Sequence, residues 1–470
     1  MSFGIILFIV LALYLLVLFL IGLLSRKATA TKEDFYLGGR KIGPWVSSFS
    51  FVAAYYSSVV IIGGGGFGYK YGMATLWVAG INVLVGTTLA WIVLGKRTRE
   101  LTQKYNAVTM PEFLAKRYQS PVIQIISALI IAIFLIVYNV SILKAMANIS
   151  QVLMNVEYLH GLLISGLIIV IYVSLGGYLA VVWTGFLQAW LMIIGLLLLT
   201  FFTLNKVGSV SDIFIRLGEI NQNLIDTPGV WGWSGLVSYC MIVSFGVWGM
   251  PQLVSRFYSI RDVKVLRIGT VLATLSASIA LLPYFNGAVS RILFPNLTNP
   301  DLAIPNLVKL VLSPFSQAIF LTGVMAAGMS TFSAVLLTAV SSLIKDFYED
   351  GLQKKLDAKT HIRYARLVSV FIGILSLIVA IKPPAMILVL TAFSWSVIAG
   401  ANLWPFFFSL YLNKLSKNAG LISMLGGAIT ALIWIIIKNP FGIHGFIPGI
   451  IASFLLYIII HFFTKNSIKI

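Results

Sequence analysis

The chain has 470 residues, of which 59% are hydrophobic and only 10% charged, and its mean hydropathy is +0.98. Soluble globular chains carry about 25% charged residues, so this composition excludes an ordinary soluble enzyme or binding domain. The formal net charge of +19 would suit a nucleic-acid binder, but its distribution along the chain gives it another meaning.

Apolar stretches of the roughly 20 residues that a bilayer requires recur from end to end. In chain order they fall near 3–25, 43–69, 73–95, 121–153, 159–181, 183–204, 233–255, 268–290, 316–344, 364–382, 386–411, 419–437 and 445–463. That is about 13 spans, an all-α integral membrane protein. The first is too long, and too lightly followed by small residues, to be a cleaved signal peptide, and is read as a retained helix. The second, from Ile42 to Tyr69, contains Gly63-Gly64-Gly65-Gly66, and the seventh, from Leu236 to Phe257, is interrupted by Gly246, Gly249 and Pro251. Hydrocarbon offers no hydrogen bonds, so a broken membrane helix is tolerated only where it lines a protein-walled or watery cavity. Two broken helices in corresponding places, each opening one half of a chain, point to the substrate and ion site of a secondary transporter.

With the N-terminus outside and the C-terminus cytoplasmic, about 25 of the 33 Lys and Arg residues fall on the inner side, the positive-inside bias. They include Arg26, Lys27, Arg40 and Lys41, the cluster from Lys96 to Arg117, Arg256 to Arg267, and Lys345 to Arg366. The basic excess therefore needs no polyanion partner, although anionic lipid at the inner face would be attracted. Cys240 is alone within a span, and His160, His361, His444 and His461 are scattered without a second ligand at helical spacing. Neither a disulfide nor a metal cluster is expected. The longest outer loop, 205–233, is too short for a soluble domain.

All 14 acidic residues fall in loops or at span ends. Ionisable residues inside a bilayer are the usual proton relays, so a pump built on a buried acid is disfavoured. A cation crossing here would be held by neutral oxygens, namely carbonyls freed at a helix break and Ser or Thr hydroxyls, a hard donor set that suits sodium-like ions. In the ninth span, Ala326-Ala327-Gly328-Met329-Ser330-Thr331-Phe332-Ser333 places Ser330 and Ser333 on one helical face with Thr331 beside them. Such small polar residues also serve close helix packing. Lys144, within the fourth span, reads either as a lysine reaching the headgroups or as a cation drawing an anionic solute into the outer vestibule.

Several separated stretches resemble the sodium:solute symporter family: Asp34-Phe35-Tyr36-Leu37-Gly38-Gly39-Arg40; Tyr105-Asn106-Ala107-Val108-Thr109-Met110-Pro111-Glu112-Phe113-Leu114 followed by Lys116-Arg117-Tyr118; Gly176-Gly177 through Ala180-Val181-Val182-Trp183-Thr184 to Gln188; and Ser330-Thr331 with Ser341, Ser342, Asp346 and Tyr348. The resemblance implies a leucine-transporter-like 5+5 inverted-repeat core within one transporter domain, 1–470. Residues 1–41 would hold a peripheral helix and inner loop, 42–205 the first repeat, 206–412 the second, and 413–470 two peripheral helices. It implies a main sodium site from the carbonyls of Ala53, Tyr56 and Ala327 and the hydroxyls of Ser330 and Thr331. Substrate would lie beside the two breaks, near Ser57, Ser58, Val59 and Val60 on one side and Ser244, Val247, Trp248, Pro251 and Gln252 on the other. Trp248 would be a lid or stacking wall, or a packing aromatic.

The chain departs from the family where the signature often has Asp after Trp-Thr; here it has Gly185, which argues against a second sodium ion. Val243 and Val247 stand where the proline symporters' aromatic contacts would fall, and Val59 and Val60 where the sugar symporters have polar contacts. Proline and sugars are thus disfavoured, and an apolar pocket suits a monocarboxylate or an amino acid-like solute. The expected function is import of such a solute from outside a cell membrane by alternating access, coupled to Na+. The alternative is a proton-coupled or uncoupled facilitator. No nucleotide loop or intramembrane acid–base pair suggests an enzyme, and the expected partners are the solute and membrane lipid, without nucleic acid or an obligate protein partner.

Overall fold

The computed structural model describes residues 3–27, 37, 40–175, 178–354, 356–464 and 468–469. Most of the 34–39 motif, and Gly176-Gly177, lie outside the described residues. The chain is almost wholly helical, and among the described residues eleven helical stretches are long and apolar enough to cross a membrane. The expected thirteen are not all separate by this measure. Val59–Val93 runs as one helical stretch, bent at Gly72, whose φ of +75° and close approach to the Leu224 backbone admit no side chain. Of the span near 159–181, only Tyr158–Leu167 stands out, as a shorter apolar helix.

Burial separates the core from the rim. The most apolar window of Pro314–Gly351 is 94% buried and that of Ile387–Tyr411 is 83% buried, against 17% for Phe3–Gly22 and 28% for Phe446–Phe463. Lipid-facing helices leave their apolar side chains outside the protein, so low burial at high hydropathy marks the edge of a bundle. The central Pro314–Ser341 helix packs against Pro121–Met154, Tyr178–Val207 and Phe3–Lys27.

The second span is broken, but not at the glycines. Pro44–Tyr55 ends at Tyr56, whose φ of −89° and ψ of 72° leave the helix, and a π-helical turn, Val59–Gly64, leads into Gly65–Tyr71. The break is therefore Tyr56–Ser58, upstream of Gly63–Gly66. Serine chemistry makes it: the Val59 N–H donates to Ser57 Oγ at 3.1 Å, and the Ser57 carbonyl accepts from Val60 at 3.0 Å. Such local bonds compete with the helical ladder. The glycines serve contact instead. A Cβ on Gly64 would press the Tyr284 ring, and one on Gly287 would overlap the Gly65 carbonyl. Gly287→Leu is accordingly expected to abolish most monodisperse protein on size-exclusion chromatography in detergent, since no side-chain shift relieves a backbone overlap.

The seventh span breaks where the sequence predicts. Gly232–Phe245 passes through a 3-10 turn, Gly246–Gly249, into extended Met250, and Pro251–Ser259 resumes the helix with proline at its first position. Gly249 lies against the Ala399 backbone, where a Cβ would meet Ala399 Cα at 2.8 Å. The two broken helices are tied at one face. Ile42 pairs with Ile260, the Ile42 N–H donating to the Ser259 carbonyl at 3.2 Å and the Arg261 N–H to the Ile42 carbonyl at 2.9 Å.

The acidic residues near span ends are not all solvated, contrary to what a loop placement suggests. Asp346 is fully buried in the π-helical continuation Ser342–Gly351 and accepts from the Thr109 hydroxyl at 2.6 Å and the Gln124 amide at 3.1 Å. Asp301 is also fully buried.

Candidate functional site

The first break frees the carbonyls that a continuous helix would consume. The last carbonyls of any helix lack intrahelical partners, and here those of Ala53 and Ala54 meet the central helix. Thr331 Oγ1 lies 3.1 Å from the Ala54 oxygen, 3.2 Å from that of Ala327 and 3.3 Å from that of Ala53. Thr331 is completely buried. Beside it, Ser330 Oγ is buried with no hydrogen-bond partner among the described residues. Ser333, by contrast, bonds back to the Ser330 carbonyl at 3.0 Å.

Three carbonyls from two elements thus converge on the Thr331 hydroxyl, and the Ser330 hydroxyl lies next along the same helix. This is a neutral, hard-oxygen donor set that brings together Ala53, Ala327 and Thr331, with Ser330 adjacent in sequence. Tyr56 stands at the break itself, with its hydroxyl 3.2 Å from Thr87 Oγ1. Ala54, which sequence reasoning passed over, supplies the carbonyl nearest Thr331. Gly185 faces the same cluster: a Cβ there would lie 3.8 Å from Ser330 Oγ and 3.4 Å from Ser50 Cβ, in ordinary contact.

A pocket opens on the other side of the break. Val59, Val60 and Tyr55 from the first broken helix line it with Asn82, Tyr138 and Tyr284, with Tyr239, Ile242 and Val243 from the second broken helix, and with Leu388, Thr391, Ala392 and Trp395. None of these residues is charged. The Tyr55 hydroxyl sits between Asn82 Oδ1 and the Val243 carbonyl and can donate to either, tying both broken helices to the third span. The Tyr138 and Trp395 rings meet edge to face at 5.8 Å. Such a wall of aromatic and aliphatic groups with a few polar atoms is typical of small-molecule sites.

Of the substrate candidates, Val59 and Val60 line this pocket. Ser57 and Ser58 are buried within the break, and the Ser58 hydroxyl points at the Ile142 carbonyl 3.4 Å away. Ser244 Oγ is buried with no partner among the described residues, and Val247 is buried in the second break. Trp248 donates from Nε1 to the Val85 carbonyl at 3.2 Å and stacks on Phe407 at 6.2 Å. Pro251 and Gln252 face a separate crevice with Thr109, Arg256, Thr338, Ser341 and Ser342. The tyrosines, Asn82 and Trp395 went unread in the sequence; their one signal was a polar tip inside an apolar span, which every interfacial aromatic shares.

Lys144 follows neither of its expected readings. It is 9% exposed and bonds Asp301 Oδ2 at 2.8 Å and the Ala385 carbonyl at 2.9 Å. A buried lysine held by a carboxylate does not reach the headgroups, nor does it offer an unopposed charge to an anion.

Known proteins bear the same pattern. The profile of the sodium:solute symporter family matches residues 35–427. The osmoregulated proline transporter OpuE of Bacillus subtilis (strain 168) is 30% identical over 98% of this chain and 95% of its own. The sodium/pantothenate symporter of Escherichia coli (strain K12) is 30% identical over 95% of this chain and 94% of its own. Among solved structures, a Na+-coupled sialic acid symporter in a substrate-bound outward-open state superposes with a TM-score of 0.80 at 17% identity, covering 100% of both chains. Mhp1, a nucleobase-cation-symport-1 transporter, reaches 0.57 at 16% identity over 92% of this chain and 94% of its own. The fold is therefore the leucine-transporter-like one. With the family profile across most of its length and curated relatives matched nearly end to end, this chain belongs to the sodium:solute symporter family.

Proposed function

We propose that the protein imports a small organic solute of the monocarboxylate or amino acid-like class, driven by sodium through alternating access, and catalyses no reaction of its own. The observation that carries this reading is the Thr331 hydroxyl set among the carbonyls of Ala53, Ala54 and Ala327, just before the break whose far side, at Val59 and Val60, walls a pocket. Sodium would be held there by these carbonyls, that of Tyr56, and the hydroxyls of Ser330 and Thr331. An ion bound at the break fixes the pocket wall, so solute and ion stabilise one another, which is the thermodynamic content of coupling. The proline and pantothenate named for the relatives both carry a carboxylate, which supports the solute class.

The halves 42–205 and 206–412 would form the two repeats, each opened by its broken helix, with 1–41 and 413–470 peripheral. The basic crevice face would be cytoplasmic and the N-terminus outside. Ser57, Ser58, Ser244 and Val247 would shape the pocket from behind, and Pro251 and Gln252 would line the inner release route. The solute and lipid would be its partners, without an obligate protein subunit. Gly185 supports a single sodium ion, and it motivates the alternative of a proton-coupled or uncoupled facilitator.

The test is thermal unfolding of the purified protein in detergent against amino acids and monocarboxylates, each with sodium or choline chloride. A ligand bound to the folded state raises its stability by mass action. A solute that stabilises only with sodium supports coupled binding; one that stabilises equally in choline selects the facilitator. Val60→Trp, which fills the pocket, is expected to bring uptake in proteoliposomes to background. Trp248→Phe, which keeps the stacking and loses one hydrogen bond worth about 1 kcal/mol, is expected to transport within about threefold of the parent.

A further inference from the structure

The Lys144–Asp301 pair joins three elements at the face away from the crevice. Lys144 lies on Pro121–Met154, Asp301 in the turn Pro300–Leu302 that precedes the short helix Ala303–Val311, and Ile387 at the start of Ile387–Tyr411. Asp301 Oδ2 accepts from Lys144 Nζ at 2.8 Å and from the Ile387 N–H at 3.2 Å, and Nζ also donates to the Ala385 carbonyl at 2.9 Å. Lys144 is roughly 35 Å along its helix from Pro121, at 1.5 Å per residue, and the crevice residues Thr109 and Pro111 adjoin that far end.

The joined segment packs on Gly63–Gly66, just beyond the pocket-lining Val59 and Val60. Ile304 fills the space over Gly65, Asp301 Oδ1 sits 2.9 Å from where a Gly66 Cβ would be, and Ile387 and Leu388 press on Gly63. Leu388 and Val60 line the central pocket itself. The segment packed on Gly63–Gly66 is thus anchored by a buried charge pair.

We propose that the Lys144–Asp301 pair is the latch that holds the pocket shut on this face, and that it parts when the pocket opens there. Dry, each charge depends on the other, because removing one leaves the second desolvated and alone. Wet, both are satisfied by water. The sealed state therefore depends on both partners being present, and parting the pair exposes no apolar surface, whereas parting a greasy plug would. Its role in transport rests on the alternating-access reading above.

The reporter is a cysteine at the pocket wall, Val60→Cys, with the native thiol removed by Cys240→Ser. A bulky membrane-impermeant maleimide is applied to either face of oriented proteoliposomes. Lys144→Met and Asp301→Asn are each expected to speed labelling from the latch face about tenfold, the scale of a minor state made common, and not from the crevice face. The exchange Lys144→Asp with Asp301→Lys restores the charge pair but not the bonds to Ile387 and Ala385, and is expected to bring labelling about halfway back to the parent rate. Gly66→Val, which pushes on Asp301 without altering either charge, is expected to act like the single variants and decides the matter if those do not fold. Unchanged labelling in the folded variants, or an equal rise from both faces, overturns the latch. Labelling needs neither sodium nor solute, so a protein that failed every sodium-driven uptake assay would still report on it.

Discussion

Replacing Thr331 by valine is expected to raise the sodium concentration for half-maximal uptake by about 10- to 100-fold. The hydroxyl is fully buried, with three carbonyl oxygens within 3.3 Å. A contact to a charged group contributes about 1.5–3 kcal/mol, and each 1.4 kcal/mol is about tenfold in affinity. Valine keeps the shape and removes the oxygen, so packing of the central helix against the first broken helix is preserved. Thr331→Ser keeps the oxygen and is expected to stay within a few-fold of the parent. The measurement is initial uptake against sodium concentration at constant ionic strength. An unchanged sodium dependence in Thr331→Val would remove this cluster as the ion site, wherever the solute binds.

Gly185→Asp is expected to make uptake depend more steeply on sodium and to transfer part of the fold's stability to the ion. The position leaves room: a Cβ there makes ordinary contacts with Ser50 and reaches 3.8 Å from Ser330 Oγ. A carboxylate placed beside that unpartnered hydroxyl lies in a buried, neutral surrounding. Unpaired it is costly, and with a cation it is satisfied. In choline the variant should therefore unfold at a lower temperature than the parent, and sodium should recover most of the loss by mass action. Sodium should stabilise the parent less, because a neutral site gains less from the ion than one carrying a carboxylate. If sodium raised both melting temperatures equally, the space at Gly185 would not communicate with the ion cluster.

Much of the molecule was legible in its residues. Hydropathy and the scarcity of charge required a helical membrane protein, because hydrocarbon satisfies no backbone group. The Gly246, Gly249 and Pro251 interruption located the second break correctly, since proline lacks an N–H and clashes with the preceding turn. The first break was misplaced by several residues because a glycine run has two physical uses. Glycine permits a broken backbone, and it permits backbone contact between helices. At Gly63–Gly66 the second use prevails, and the break is made by Tyr56 and the Ser57 hydroxyl.

The sequence by itself determined the class of protein and the interruption at Gly246, Gly249 and Pro251, because hydrophobicity, periodicity and proline's missing N–H are local properties. Only the tertiary structure decided which carbonyls meet Thr331, that Tyr138, Tyr239, Tyr284 and Trp395 share one pocket, and that Lys144 finds Asp301 across 157 positions of chain. A carbonyl has the same chemistry under every side chain, and only the packed fold brings residues so far apart in sequence into contact and sets how strongly their charges interact.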